Sequence, residues 1–135
     1  MSDTFTILLW VALGSAIGGA TRFFISGVVA RAFGETFPWG TMTVNVTGAF
    51  AIGVVFVAVQ SGGPLDRPEV LPLAVTGVLG SYTTVSSFSL QTLALARDGE
   101  WLRAAANVLL SLVLCLCAVA AGVFAAHAAF GGGAP

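Results

Sequence analysis

The chain has 135 residues, 57% apolar and 8% charged, with five basic and six acidic side chains and a net charge of −1. That balance excludes an ordinary water-soluble domain, in which about a quarter of residues are charged. With no lysine and no basic cluster, it also excludes a nucleic-acid-binding surface. Cys115 and Cys117, two apart, point to different sides of a helix and share only His127 as a soft-ligand companion. Neither a disulfide framework nor a transition-metal site is expected.

The charged residues leave four long uncharged intervals, each close to the length that crosses a hydrocarbon core of roughly 30 Å. The expected architecture is a single all-α membrane domain of four transmembrane helices over residues 5–29, 38–59, 70–96 and 102–126, with a disordered tail over 128–135. Met1-Ser2-Asp3 opens with an acid. The first apolar run is therefore expected to remain as a helix rather than to be cleaved as a signal.

The first span carries Gly14-Ser15-Ala16-Ile17-Gly18-Gly19-Ala20, a small-residue surface that lets membrane helices approach closely. Arg22 follows it. Its guanidinium either snorkels to the headgroups or stands at the mouth of an aqueous vestibule, raising the local anion concentration. Pro38 and Trp39 open the second span, proline suiting a first helical turn and tryptophan the interface. Asn45 is the polar anomaly inside it, read either as interhelical glue or as an amide donor facing a pore.

Residues 60–68, with Ser61-Gly62-Gly63-Pro64, form a turn-rich loop. The third span holds Gly80-Ser81-Tyr82-Thr83-Thr84-Val85-Ser86-Ser87-Phe88-Ser89, a block of hydroxyls near the middle of an uncharged run from Val70 to Ala96. A continuous helix can carry such hydroxyls by bonding them to its own carbonyls. A helix broken at membrane depth uses the same residues, provided protein or a wet cavity receives the freed backbone groups. The block is the expected functional centre.

The short link Arg97-Asp98-Gly99-Glu100 makes spans three and four antiparallel neighbours. In the fourth, Asn107, Ser111 and Cys115 recur every four residues and so share one face, a stripe that either packs or lines a pore. Arg67 on one side of the membrane and Arg31, Arg97 and Arg103 on the other give a weak orientation signal, which admits insertion both ways.

The spans contain no carboxylate, so the titratable group of a proton-coupled transporter is missing at depth. They contain donors instead: hydroxyls, the amides of Asn45 and Asn107, and the edge of the Phe88 ring. Donors without acids suit a small anion. Carbonyls released by a break, gathered from two copies, suit a small hard cation of the Na⁺ kind.

At these residues the chain resembles the Fluc (CrcB) family of fluoride channels. Gly18-Gly19-Ala20-Thr21-Arg22-Phe23, the stretch from Gly40 through Asn45 to Phe50, and the stretch from Gly77 to Ser89 are similar to the family's three ordered motifs. The resemblance implies a fluoride-selective channel, not an enzyme, that passively lowers cytoplasmic fluoride. It implies a multi-pass protein of the prokaryotic plasma (inner) membrane that forms an antiparallel, dual-topology dimer in the lipid, homodimeric or paired with a paralogue. It further implies a structural Na⁺ held at the dimer interface by the backbone carbonyls of Gly80 and Thr83. Asn45, Phe88, Ser86, Ser87, Asn107, Ser111 and Cys115 would line the fluoride path, with Arg22 at its vestibule. Val85 stands where the family usually has a second phenylalanine, and Asn107 and Cys115 stand where it has a tyrosine and a hydroxyl. Those departures imply either weaker conduction by this chain alone or a second chain that supplies the missing ring.

Overall fold

The computed structural model describes residues 2–61 and 67–130. The turn expected at Gly62, Gly63 and Pro64 and the last residues, 131–135, lie outside them. The described residues form helices and no strand: α1 (Ser2–Phe33), α2 (Trp39–Gln60), a wide stretch of π type (Leu71–Leu79), α3 (Gly80–Tyr82), α4 (Val85–Arg97) and α5 (Trp101–Phe130). Three of these are long and apolar enough to cross a membrane, over Asp3–Phe33, Trp39–Gln60 and Trp101–Phe130. The chain is thus a multi-pass membrane protein, all-helical over the described residues. Because α5 runs on to Phe130, the residues at 128–130 expected in the tail are helical.

Local chemistry sets the helix ends. Asp3 lies in the first turn of α1 and Arg31 in its last, each charge opposing the nearer end of the helix dipole. Gly34 then takes φ +81° and closes the helix with an N–H bond to Ala30 at 2.9 Å. Gly99 does the same after α4 with φ +79°. Its N–H reaches the Ala96 carbonyl at 3.2 Å while that of Glu100 reaches Leu95 at 2.9 Å, the paired bonds of a Schellman ending. This tight reversal folds α4 back against α5.

The packing has two backbone-to-backbone seams. Along the first, α1 lies on the Leu71–Leu79 stretch. Gly14 and Gly18 meet the Leu73 and Val78 carbonyls there, and Gly77 meets the Gly14 backbone. Along the second, α2 lies on α5, with Gly53 against the Val119 carbonyl and Gly122 against that of Phe50. A methyl group at any of these glycines would occupy the facing backbone. The seams bring α2, the Leu71–Leu79 stretch, α3 and α4 together around Asn45 and Thr84, whereas Phe5, Leu8, Phe24, Leu109, Leu116 and Phe124 point outward.

Candidate functional site

The helical run stops after Tyr82. Thr83 (φ −81°, ψ 157°) and Thr84 (φ −151°, ψ 122°) are extended, and α4 starts at Val85. Both conformations are ordinary for a residue with a side chain, so the two residues are held by partners rather than by strain.

The partners are specific. Asn45 on α2 accepts the Thr84 N–H at its Oδ1 (2.7 Å) and donates from Nδ2 to the Thr84 carbonyl (2.9 Å). The Tyr82 hydroxyl lies 2.8 Å from Thr47 Oγ1, which itself bonds the Thr43 carbonyl at 2.7 Å. Gly48, one turn from Asn45, leaves the space that the Thr83 methyl and the Tyr82 ring occupy. On the far side, Thr84 Oγ1 caps α4 by accepting the Ser87 N–H (3.2 Å), and it also meets the hydroxyls of Ser87 (3.2 Å) and Ser86 (3.1 Å).

These bonds redirect two backbone donors. In an uninterrupted helix the N–H of Thr84 would close on the Gly80 carbonyl and that of Ser87 on the Thr83 carbonyl. Here the first goes to Asn45 and the second to Thr84 Oγ1. The carbonyls of Gly80 and Thr83 lose the donors that a regular helix supplies, as do those of Ser81 and Tyr82, whose helical partners Val85 and Ser86 open α4. Among the described residues no group of three or more His, Cys, Asp or Glu could hold a metal ion.

The α5 stripe shares one face, as its spacing requires, but its members differ. Asn107, 1% exposed, donates to Thr92 Oγ1 at 2.8 Å, and Thr92 in turn bonds the Phe88 carbonyl at 2.7 Å, so this amide ties α5 to α4. Ser111 Oγ is buried without a partner among the described residues. Cys115 is half-buried and free.

Two clefts meet at the interruption. One, of about 300 Å³, is lined by Asn45, Val85, Phe88, Val108, Ser111 and Leu112. The other, of about 330 Å³, includes Asn45, Gly80, Thr83, Thr84, Val85 and Cys115 in its wall. Neither contains an ionisable carboxylate. A third cavity, of about 460 Å³, reaches Ser87 and Gln91 from the α1–α2 turn and includes Glu35. Arg22 is half-buried, lines none of the three and forms no ion pair with a described residue.

The structure therefore gathers Asn45, Phe88 and Ser111 around one cleft and Asn45, Gly80, Thr83 and Cys115 around the other. Ser86 is drawn into the α4 cap and Asn107 into a tie with Thr92. Sequence reasoning named Thr84 only as part of the hydroxyl block and missed its organising role, and it missed Gly48, which makes room for Thr83 and Tyr82. The i, i+3 placement of Asn45 and Gly48 on α2 was the available signal.

Residues 9–123 match the family model described as CrcB-like protein, Camphor Resistance (CrcB). The chain is 66% identical over 121 residues to a protein of Rhodopseudomonas palustris (strain BisB18) named fluoride-specific ion channel FluC 2, with 89% of this chain and 92% of that one covered. A protein of the same name from Bradyrhizobium diazoefficiens is 55% identical over 90% of this chain and 92% of its own length. The fluoride-specific ion channel FluC of Opitutus terrae is 52% identical, also over 90% and 92%.

Proposed function

The chain belongs to the CrcB (Fluc) family of ion channels, which are not enzymes, and from that premise we propose that it is a fluoride-selective channel which passively exports fluoride. The observation that carries the reading at the site is the buried, unpartnered hydroxyl of Ser111 beside the Phe88 ring and the Asn45 amide, in a cleft without carboxylates. A small anion that gives up water needs donors in its place, and it must not meet a charge that would hold it too tightly to leave. Ser111 has its O–H free, Asn45 keeps one N–H beyond the bond to Thr84, and a phenylalanine edge is the positive part of the ring. The path would continue over Cys115 on one side and Ser86, Ser87 and Asn107 on the other, with Arg22 concentrating anions at the mouth.

No energy source is required. Hydrogen fluoride crosses a membrane uncharged and dissociates inside. The interior-negative potential, worth about 2.3 kcal/mol per charge per 100 mV, then drives the anion out through the pore.

In this reading the Leu71–Leu79 stretch, α3 and α4 together make one interrupted crossing, giving four spans in a single domain. Two copies insert antiparallel in the plasma membrane, and the Gly80 and Thr83 carbonyls of both would hold a Na⁺ between them. That ion supplies fixed positive charge and ties the copies together. The donor set fits a hard cation, since backbone oxygens are its preferred ligands.

The test is fluoride efflux from liposomes containing this chain alone, with valinomycin carrying compensating K⁺ and chloride as the control anion. Rapid efflux of fluoride and not of chloride is expected. Equal efflux of both anions, or proton-dependent exchange, would overturn the reading.

A further inference from the structure

We infer that Asn45 is a positioning residue whose amide holds the interruption between α3 and α4 open, keeping the Gly80 carbonyl out of a helical turn and available to the cation. The inference rests on the reading of Gly80 and Thr83 as sodium ligands.

An asparagine side chain offers one acceptor and an in-plane donor, the pair of groups that a backbone residue presents. Asn45 uses both on one residue, taking the Thr84 N–H at 2.7 Å and returning a bond to the Thr84 carbonyl at 2.9 Å. It acts on Thr84 as an adjacent strand would, across 39 positions of sequence.

No backbone strain compels the opening, and the one local device there, the Thr84 cap on Ser87, leaves the Thr84 N–H unassigned. Thr83 and Thr84 have negative φ, and the described residues around them include no glycine in the left-handed region. Gly80 itself sits in right-handed helical geometry at φ −63°, ψ −32°. Its carbonyl is therefore the nearest alternative acceptor for the Thr84 N–H, one regular turn away. A buried N–H does not stay unpaired, so removing the Asn45 oxygen favours closing that turn and withdrawing the carbonyl. The Thr83 carbonyl is released separately, because Thr84 Oγ1 takes the Ser87 N–H at 3.2 Å. Two carbonyls three residues apart are thus exposed by two different side chains.

The two halves of the amide separate by substitution. Asn45→Asp keeps an oxygen to accept the Thr84 N–H whether or not the carboxyl is ionised. Asn45→Leu has similar bulk and no acceptor. Both variants and the parent, purified as dimers, are melted in Na⁺ and in N-methyl-D-glucamine, and their fluoride efflux is measured alongside. The parent is expected to melt higher in Na⁺ by mass action. Asn45→Asp is expected to retain that Na⁺-dependent rise and Asn45→Leu to lose it.

If Asn45 served only as a fluoride contact, both variants would lose efflux and both would keep the rise, which overturns the positioning role while leaving the sodium reading intact. A parent with no Na⁺-dependent rise would overturn the sodium reading and the inference with it. Should Asn45→Leu fail to yield folded dimer, loss of the rise in folded Asn45→Asp overturns the inference, and its retention supports it.

Discussion

Hydroxyls inside membrane helices ordinarily bond the carbonyl one turn back, as Thr21, Thr47 and Thr92 do here at 2.8, 2.7 and 2.7 Å. Ser111 does not, although its oxygen is buried. Leaving a buried polar group unpaired costs about 1–3 kcal/mol. Ser111→Ala removes that cost, so the variant should melt at or above the parent temperature. If Ser111 lines the proposed fluoride path, the same change also removes a donor from it, and the loss of one transition-state contact worth about 1.4 kcal/mol is tenfold in rate. Stability held or raised together with efflux down about tenfold, read by thermal melting and liposome flux, is the expected pair. A structural serine would give the reverse, with stability falling and flux unchanged. The four-residue spacing made the Asn107–Ser111–Cys115 face legible in the sequence. It could not say that Asn107 finds Thr92 while Ser111 finds nothing, because those fates depend on which side chain of α4 lies opposite each rung.

Between elements, the glycines decide how closely helices approach, and neighbours along one helix have opposite roles. Gly18 faces the Val78 carbonyl with no room for a methyl group, whereas Gly19 has nothing within 4 Å. Gly18→Leu should force α1 off the Leu71–Leu79 stretch. Overpacking of this kind costs about 1–3 kcal/mol and more where backbone must move. Gly19→Leu should be close to neutral. The check is the fraction of each variant that elutes as a single species in detergent and its melting temperature, with Gly18→Leu depleted and Gly19→Leu equal to the parent. The small-residue run was visible from sequence as a close-packing surface; which of its glycines touched backbone depended on the partner. The π-type geometry of Leu71–Leu79 carried no such mark. Pro72 suits an early helical position, and Gly77 is pressed against the Gly14 backbone, a contact between distant parts of the chain. Likewise the Ser/Thr block announced an unusual segment, yet the two extended residues within it are fixed by Asn45, which no local pattern connects to Thr84.

For the molecule as a whole, one copy leaves a large apolar surface exposed on α1 and α5. In water such a surface would aggregate; here lipid and a second copy are the proposed occupants. Val85 belongs to that unfinished surface. It is 77% exposed and, with Asn45, lies in the walls of both clefts. Valine offers no ring edge to an anion, whereas a phenylalanine would add bulk to the shared wall and a second positive edge to that of Phe88. Val85 is the first residue of α4 and, within one copy, is exposed away from the core, so the larger side chain meets no core there and stability should change by no more than about 0.5 kcal/mol. Val85→Phe in this chain alone should therefore raise fluoride efflux several-fold at unchanged melting temperature, and the same assay on a co-expressed paralogue carrying the ring should raise it in the mixed dimer. If Val85→Phe leaves the rate unchanged, the anion path does not use this shared wall, and a homodimer that keeps valine is complete without a second ring.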